Sequence, residues 1–259
     1  MITTADFLTR LSSVSVYEDL SSLREDAVAS ENLYRELFAR QRDSWEIPEV
    51  DDPFVFLIDV FANHNHFLKL PDFPTDPLPR CFPLTNEARF TPGTKVTVQD
   101  AKDFVVSWDC FTEGLLRFVD WNNVVAAGGS VAGCLALLPE RITSAAAATT
   151  RVLRRKYFHD EYLPASDIDL FLYGLDETQA EAKLLELFDA VQAACPYEIR
   201  AFRSTHAITL VSRYPFRHVQ IVLRLYNSPS EILQGFDVDS CAAGTCAHSP
   251  PWDGGCVQA

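Results

Sequence analysis

The chain has 259 residues, with 22 basic and 36 acidic side chains that give a formal net charge of −14. Its hydrophobic content of 47% is ample for a packed core. So acidic a chain is repelled at long range by nucleic acid and by anionic membranes, and we expect neither as a partner. It has no secretory signal near Met1 and no run of about twenty apolar residues, which predicts a soluble cytoplasmic or nuclear protein.

Three groups of residues are candidates for phosphate or metal binding outside any recognised motif. One basic cluster (Arg151, Arg154, Arg155 and Lys156) could hold phosphate, but a solvated loop or helix face is the commoner role of such a cluster. The seven cysteines follow no standard zinc spacing, so reduced thiols are expected. The pair His64 and His66 has no third ligand nearby, and we interpret both as surface residues.

The first 97 residues are predicted to form a mostly helical and irregular extension. Apolar residues at helical spacing between Thr4 and Arg42 indicate two or three amphipathic helices. Prolines cluster between Pro48 and Pro92, which favours an irregular surface connector. Within it, the apolar run Phe54–Phe61 fits a helix or a strand; the two aspartates before Pro53 favour a helix.

Residues 98–244 are predicted to form the core domain. Apolar residues at every third or fourth position predict a helix from Val98 to Val119. A strand, Val124–Ala127, then leads into a Gly128-Gly129 turn and a small-residue helix through Leu138. The Ser/Ala/Thr-rich stretch 141–165 is expected to be a mobile excursion between core elements.

The segment SDIDLFLYGL is predicted to be a strand. Strand alternation places Ile168, Leu170 and Leu172 on one face and Asp167, Asp169 and Phe171 on the other. A helix from Asp176 to Cys195, strands at 207–212 and 218–225, and a helix capped by Ser228 follow. The segment DVDSCAAG is expected to open a last strand, and residues 245–259 a loose tail. The fold class is therefore α+β, with a mixed sheet flanked by helices.

The glycine turn and the two alternating aspartates form the candidate site. Nucleotidyl transfer uses divalent metals, Mg²⁺ or Mn²⁺, held by carboxylates such as Asp167 and Asp169. A glycine turn before a helix offers free amides, and here a serine hydroxyl, to phosphate oxygens. Gly128, Gly129 and Ser130 are the corresponding candidates for binding a nucleoside triphosphate.

The phrases GGSVAGCLALLP and SDIDLFLYGL resemble the Gly-Ser and Asp-x-Asp signature of the DNA polymerase β-type nucleotidyltransferase superfamily. Longer phrases also resemble uncharacterised fungal and protist proteins, some of which carry ankyrin repeats, although no such repeat is present here. The resemblance covers about the second half of the chain. It implies a nucleotidyltransferase-like fold, phosphate contacts by Gly129 and Ser130, and metal ligation by Asp167 and Asp169.

The third carboxylate of the family pattern is missing. HVQIVLRLY resembles the strand that carries it, but Gln220 stands in its place, and an amide cannot take a proton from an attacking hydroxyl. Asp237 and Asp239 repeat the alternating pattern and could supply the missing carboxylate. Alternatively, they cap or terminate the preceding helix.

Three functions follow as hypotheses. The first is a magnesium-dependent nucleotidyltransferase that transfers NMP from a nucleoside triphosphate to a hydroxyl. The second, favoured by Gln220, is a catalytically inactive domain of the same fold that serves as a protein-interaction or scaffold module. The third, by family analogy alone, is a regulatory module of a toxin or defence system.

Overall fold

The computed structural model describes residues 2–13, 17–43, 52–63, 98–238, 241–246 and 257–258. The helices are α1 (Thr4–Ser13), α2 (Tyr17–Asp43), α3 (Ala101–Thr112), α4 (Gly129–Leu135), α5 (Glu140–Thr143), α6 (Ala147–Lys156), a π-helix (Tyr157–Tyr162), α7 (Glu177–Ala194) and α8 (Pro229–Gln234). The strands are β1 (Ile58–Asp59), β2 (Val124–Ala127), β3 (Ile168–Tyr173), β4 (Arg200–Arg203), β5 (Ala207–Val211), β6 (Val219–Tyr226), β7 (Ala243–Cys246) and β8 (Val257–Gln258).

One mixed sheet joins all these strands in the order β1-β8-β7-β2-β3-β6-β5-β4. Six of them, β7 to β4, form the main sheet, and the two-residue strands β1 and β8 extend one edge. Strands β3 and β6 are parallel, while the other neighbouring strands are antiparallel. The expected α+β class, with a mixed sheet, flanking helices and a helical N-terminal region, is confirmed.

The two faces of the sheet pack against different apolar clusters. Ile168, Leu170 and Leu172 of β3 belong to the larger cluster, with residues of α3 and α7. Phe171 and Tyr173 pack on the other face, against a smaller cluster that includes Leu57 and residues of α8. Burial alternates along β3 as the sequence predicts, so Asp169 shares the second face with Phe171.

Local cap residues fix several helix ends. The Asp100 carboxylate accepts a hydrogen bond from the Asp103 amide at 2.8 Å and begins α3. Asp176 and Gln179 form a capping box at the start of α7. Ser228 accepts from the Glu231 amide and Pro229 occupies the first turn of α8, as predicted.

The helix expected for Phe54–Phe61 is wrong. This segment forms turns around β1, and Phe56 has a left-handed φ of 63°. The Pro53 carbonyl accepts from the Ser230 amide, and the Val55 carbonyl accepts from the Ser230 hydroxyl and the Gln234 amide. These long-range hydrogen bonds hold Pro53 and Val55 against α8 in a turn.

Two predicted helices are shorter in the structure. Helix α3 ends at Thr112, not near Asp120, because Glu113 and Gly114 adopt left-handed conformations with φ of 52° and 69°. Helix α4 ends at Leu135, three residues before Leu138, and the peptide chain turns extended at Ala136.

Residues 141–165, expected to be a mobile excursion between core elements, are mostly helical. This stretch forms α5, α6 and the π-helix, and it packs on α3 through a T-shaped contact between Phe158 and Phe111. Its alanines favour a helix, and buried Arg154 binds the Asp103 carbonyl and the Ser107 hydroxyl, both at 2.9 Å.

Other expectations have mixed outcomes. The two helices of the N-terminal region, α7, β5 and β6 lie where the sequence predicts them, but the exposed edge strand β4 was missed. Strand β7 continues through Thr245 and Cys246, two residues past the expected end of the core domain. His64 and His66, and most of the proline-rich connector, lie outside the described residues.

Arg217 connects the segments around the start of β3 and β6. It is 6% exposed, and its guanidinium donates to the carbonyls of four residues: Phe111, Phe158, Leu163 and Ser166. The guanidinium carbon also lies 3.8 Å from the centre of the Phe111 ring. Burial lowers the pKa of Arg217, and the four carbonyls compensate for the lost hydration.

We predict that Arg217→Lys destabilises the protein by about 2–4 kcal/mol, because an ammonium group cannot reach four carbonyls spread around a planar fork. Urea unfolding measures the change. Arg213→Lys is the matched control: this exposed side chain stacks on Tyr197, and we expect a loss below about 1 kcal/mol. Equal effects of the two substitutions would contradict the role given to Arg217.

Candidate active site

Asp169 lies in a row that crosses three strands. In the register of the sheet, Ala127 at the end of β2 is paired with Asp169 of β3. On the other side, Asp169 is paired with Gln220 of β6. The glycine turn that follows Ala127 and the strand position of the missing carboxylate therefore both flank Asp169, as the resemblance implies.

The Asp169 carboxyl has an unusual protonation equilibrium. Burial raises its pKa to about 6, and the negative charge of Asp167 adds to the rise. The Gln220 side-chain amide donates to Asp169 Oδ1 at 3.0 Å and opposes part of the shift. Asp167 and Asp169 are thus close enough to repel each other, as the strand alternation predicts.

The glycine turn approaches this carboxylate closely. Gly128 has φ 99° and ψ −158°, and its amide donates to the Ala243 carbonyl at 2.9 Å. A Cβ atom at Gly128 would lie 3.6 Å from Asp169 Oδ2 and 3.5 Å from the Phe236 ring. Phe236 therefore borders the site, and nothing in the sequence pattern had indicated it.

The next two residues of the turn differ in exposure. A Cβ atom at Gly129 would meet no described atom within 4 Å, so this side of the turn is open. Ser130 is 2% exposed, and its hydroxyl has no hydrogen-bond partner within the described parts of the chain. The open backbone and the unpaired hydroxyl lie at consecutive positions.

The missing carboxylate is not replaced within the described residues. Asp237 is exposed in a bend after α8, and Asp239 lies outside the described ranges. No group of three or more His, Cys, Asp or Glu side chains in the described ranges is arranged to hold a metal ion. The described part of the site therefore offers two carboxylates and the amide of Gln220.

A polar cavity of about 240 Å³ opens beside Asp167. His159, Tyr214 and His218 line it together with Asp167. The Ile168 amide donates to the His218 carbonyl at 2.9 Å, which aligns the start of β6 with the start of β3. Asp167 thus faces a cavity with several hydrogen-bonding side chains, while Asp169 faces the glycine turn.

The basic cluster is bound to acidic side chains of the core domain. Arg151 pairs with Asp109 at 2.6 Å, Arg154 with Asp103, and Arg155 with Glu113. The His159 Nε2 atom also lies 2.9 Å from Glu113 Oε1. Arg151, Arg155 and Lys156 are exposed on a helix, as a solvated helix face requires, whereas Arg154 is buried, and the three arginines are already paired.

The conformation of Gly128 leads to a test by substitution. We predict that Gly128→Ala destabilises the protein by about 1–3 kcal/mol, because a side chain at φ 99° strains the backbone. Gly129→Ala is the matched control, and its effect should stay within about 1 kcal/mol because the space is open. Thermal unfolding of both variants measures the difference, and a larger loss in Gly129→Ala would contradict this account.

The raised pKa of Asp169 predicts a pH-dependent stability. Its ordinary value is 3.8 and its folded value is about 6, so the native state binds the proton more tightly. Stability therefore falls as pH rises through this window, and the full penalty is present above pH 6. We predict that Asp169→Asn stabilises the protein by up to about 3 kcal/mol at pH 7.5 and that this gain disappears below about pH 4.

Urea unfolding at several pH values measures this effect. The control is Asp189→Asn on the exposed face of α7, which should change stability by less than about 0.5 kcal/mol at every pH. A gain for Asp169→Asn that did not vary with pH would show that ionisation of this carboxyl is not its cause.

Comparison with known proteins gives the family. The model of the Gabija anti-defense 2 family, a nucleotidyltransferase-like family, matches residues 100–248. An uncharacterized protein of Acanthamoeba polyphaga mimivirus is 27% identical over 146 residues, which is 50% of this chain and 27% of that protein. The chain thus spans about a quarter of that relative's length.

No solved structure matches this chain. No helix among the described residues has the length and apolar character to cross a membrane. Because the family model covers more than half of the sequence, the chain belongs to the Gabija anti-defense 2 family.

Proposed function

We propose that this chain is a nucleotidyltransferase of the polymerase β type that binds a nucleoside triphosphate with magnesium at Asp167 and Asp169. In this proposal it transfers NMP to a hydroxyl acceptor. The observation that carries the proposal is the row formed by the glycine turn, Asp169 and Gln220 across three neighbouring strands. This row places the glycine turn beside Asp169, whose charge is repelled by that of Asp167.

The two aspartates fit a magnesium ion. The charge of Asp167 raises the pKa of Asp169, and a divalent cation between two such carboxylates would relieve their repulsion. Magnesium is commonly bound by one or two carboxylates, with waters and phosphate oxygens as its other ligands. When bound, it would neutralise the charge of the triphosphate and of the leaving pyrophosphate. The Gln220 amide oxygen is a further neutral ligand if the amide turns away from Asp169.

The open part of the turn at Gly129 suits the phosphates. Gly129 leaves open space where any other residue would place a Cβ atom, and the Ser130 hydroxyl is a donor with no partner in the described structure. Phosphate oxygens commonly accept hydrogen bonds from backbone amides of glycine turns and from hydroxyl groups. In this arrangement Gly128 permits the close approach of the turn to Asp169, and Gly129 and Ser130 contact the triphosphate.

The acceptor hydroxyl would enter from the Asp167 side, where the polar cavity lies. Gln220 cannot accept its proton, so a remaining carboxylate must do so. We assign this step to Asp239, which follows α8 in the chain, because Asp237 is exposed and forms no acidic group with Asp167 and Asp169. Following the description of the family, we propose that the transfer serves to counteract a Gabija defence system.

Magnesium-dependent nucleotide binding tests the proposal. We expect a saturating nucleoside triphosphate with MgCl₂ to raise the Tm by about 2–8 °C, because binding to the folded state adds about 2.7 kcal/mol at a hundredfold excess over Kd. The double substitution Asp167→Ala/Asp169→Ala should abolish the shift, and the control Asp189→Ala should retain it. Calorimetric titration with each of the four triphosphates, and a screen for labelled NMP transfer, complete the test. The absence of a magnesium-dependent response in the native sequence would overturn it.

A second function is favoured by one observation, the hydrogen bond from Gln220 to Asp169. It holds an amide where a carboxylate would complete the metal site, which supports a catalytically inactive domain used as a protein-interaction or scaffold module. Gln220→Asp distinguishes the two functions. An inactive domain should transfer no NMP in its native form and should bind magnesium more tightly after the substitution. NMP transfer by the native chain would exclude this second function.

A further inference from the structure

A second cavity lies between the N-terminal helices and the core domain. It has a volume of about 270 Å³, and its walls come from α1, α2, the turn at Phe56, α8 and Phe236. Its apolar lining includes Phe7, Val28, Phe56 and Leu233. An apolar cavity of about 150 Å³ is already large enough to bind benzene, so this one has room for a small aromatic molecule.

Gln234 lines this cavity and carries a buried oxygen that lacks a partner among the described residues. Gln234 is 2% exposed, and its Oε1 has no hydrogen-bond partner among the described residues. The Gln234 Nε2 donates to the Ser230 hydroxyl at 2.8 Å and approaches the Val55 carbonyl at 3.4 Å. Because Ser230 already donates to that carbonyl, its hydroxyl oxygen is the acceptor for the amide. The network therefore fixes which end of the amide is the nitrogen, and it leaves the oxygen in need of a donor.

The backbone of the wall is strained at one position. Phe56 has a φ of 63°, a conformation that bulky residues rarely adopt. Its ring lies 5.8 Å from that of Tyr34, and its side chain borders the cavity. Strain of this kind persists only where the surrounding structure holds it, and it is concentrated at ligand-binding and catalytic sites.

The cavity also has a cation at its border. Arg35 pairs with Glu31 at 2.6 Å and donates to the Phe236 carbonyl at 3.1 Å, so its charge is engaged. Arg24, exposed on the same helix, has no ion-pair partner among the described residues. An anionic substituent on a ligand would find this guanidinium free.

We infer that this cavity, here named the α2–α8 cavity, is a binding site for a small planar aromatic acid that carries an N–H or O–H donor. The donor binds Gln234 Oε1, the ring packs between Phe7, Phe56 and Phe236, and the acidic group binds Arg24. A nucleotide and a simple aromatic acid share this chemistry. The inference does not depend on the proposed function, because none of these residues belongs to the Asp167/Asp169 pair.

One side chain, Phe236, borders both the α2–α8 cavity and the candidate active site. The Phe236 ring lies 3.5 Å from the position that a Cβ atom of Gly128 would occupy, and it also contacts the Phe171 ring. Phe236 also lines the α2–α8 cavity. A ligand that fixes the Phe236 ring would therefore act on the wall of the glycine turn as well.

Two ligands of matched shape test whether an N–H group of the ligand donates to Gln234 Oε1. We expect indole to bind about 5–10-fold more tightly than indene, which has the same shape without the N–H group, since a donor for a buried unpaired oxygen is worth about 1–1.5 kcal/mol. Calorimetry or ligand-observed NMR measures both affinities. Equal affinities would overturn the assignment of Gln234 as the acceptor.

Matched variants test whether the ligand binds in the α2–α8 cavity. Val28→Trp fills the α2–α8 cavity from an α2 position that is 42% exposed, so folding should be retained, and indole binding should be lost. Val152→Trp on α6 is the control, at a position 68% exposed and away from the cavity, and it should bind indole as the native chain does. Unchanged binding by Val28→Trp would overturn the site.

The acidic group is tested with indole-3-carboxylate. We expect Arg24→Gln to weaken its binding several-fold and to leave that of indole unchanged; an equal loss for both would overturn the role of Arg24. Competition by AMP distinguishes the two sources in the Asp167→Ala/Asp169→Ala background, where the other site is disabled. Displacement of indole-3-carboxylate by AMP supports a nucleotide as the ligand. If AMP does not displace it, the ligand is a simple aromatic acid.

Discussion

The buried guanidinium of Arg217 holds together the segments on which the candidate site is built. Its hydrogen bonds reach the end of α3, the π-helix and the segment Leu163–Ser166 that precedes β3, and Arg217 itself lies just before β6. All four acceptors are backbone carbonyls, so the interaction joins one positive charge to several backbone dipoles. Since a buried charge is stable only when its donors are satisfied, the four segments have to meet at this point. Their meeting aligns Asp167 and Asp169 with the start of β6.

The candidate site that results differs in one charge from the pattern that the sequence resembles. Gln220 lies beside Asp169 in the sheet, where a carboxylate would raise the negative charge of the site further. Instead its amide donates to Asp169 and opposes the upward shift of the aspartate's pKa. Compared with a carboxylate at this position, Gln220 therefore adds no negative charge beside Asp169, and it offers the proposed reaction no proton acceptor.

The N-terminal region is not merely a pair of helices beside the core domain, because it contacts α8 and Phe236 directly. Helix α2 reaches the core domain through Arg35, which donates to the Phe236 carbonyl, and the turn at Phe54–Leu57 is bound by Ser230 and Gln234 of α8. Because Phe236 also touches the glycine turn, the extension and the candidate site share a wall. The α2–α8 cavity lies at this junction, between the N-terminal helices and α8.

The sequence by itself determined the features that depend on neighbouring residues. Alternation along β3 placed Asp167 and Asp169 on one face, the glycine pair predicted the turn after β2, and Ser228 and Asp176 marked helix starts, because strand pleating and caps act over a few residues. Only the tertiary structure decided that Phe54–Phe61 is not a helix, that residues 141–165 are ordered helices on α3, and that Gln220 contacts Asp169. In each case the deciding hydrogen bond or contact joins residues far apart in the chain, such as Val55 with Ser230 and Phe111 with Phe158, and no local pattern encodes it.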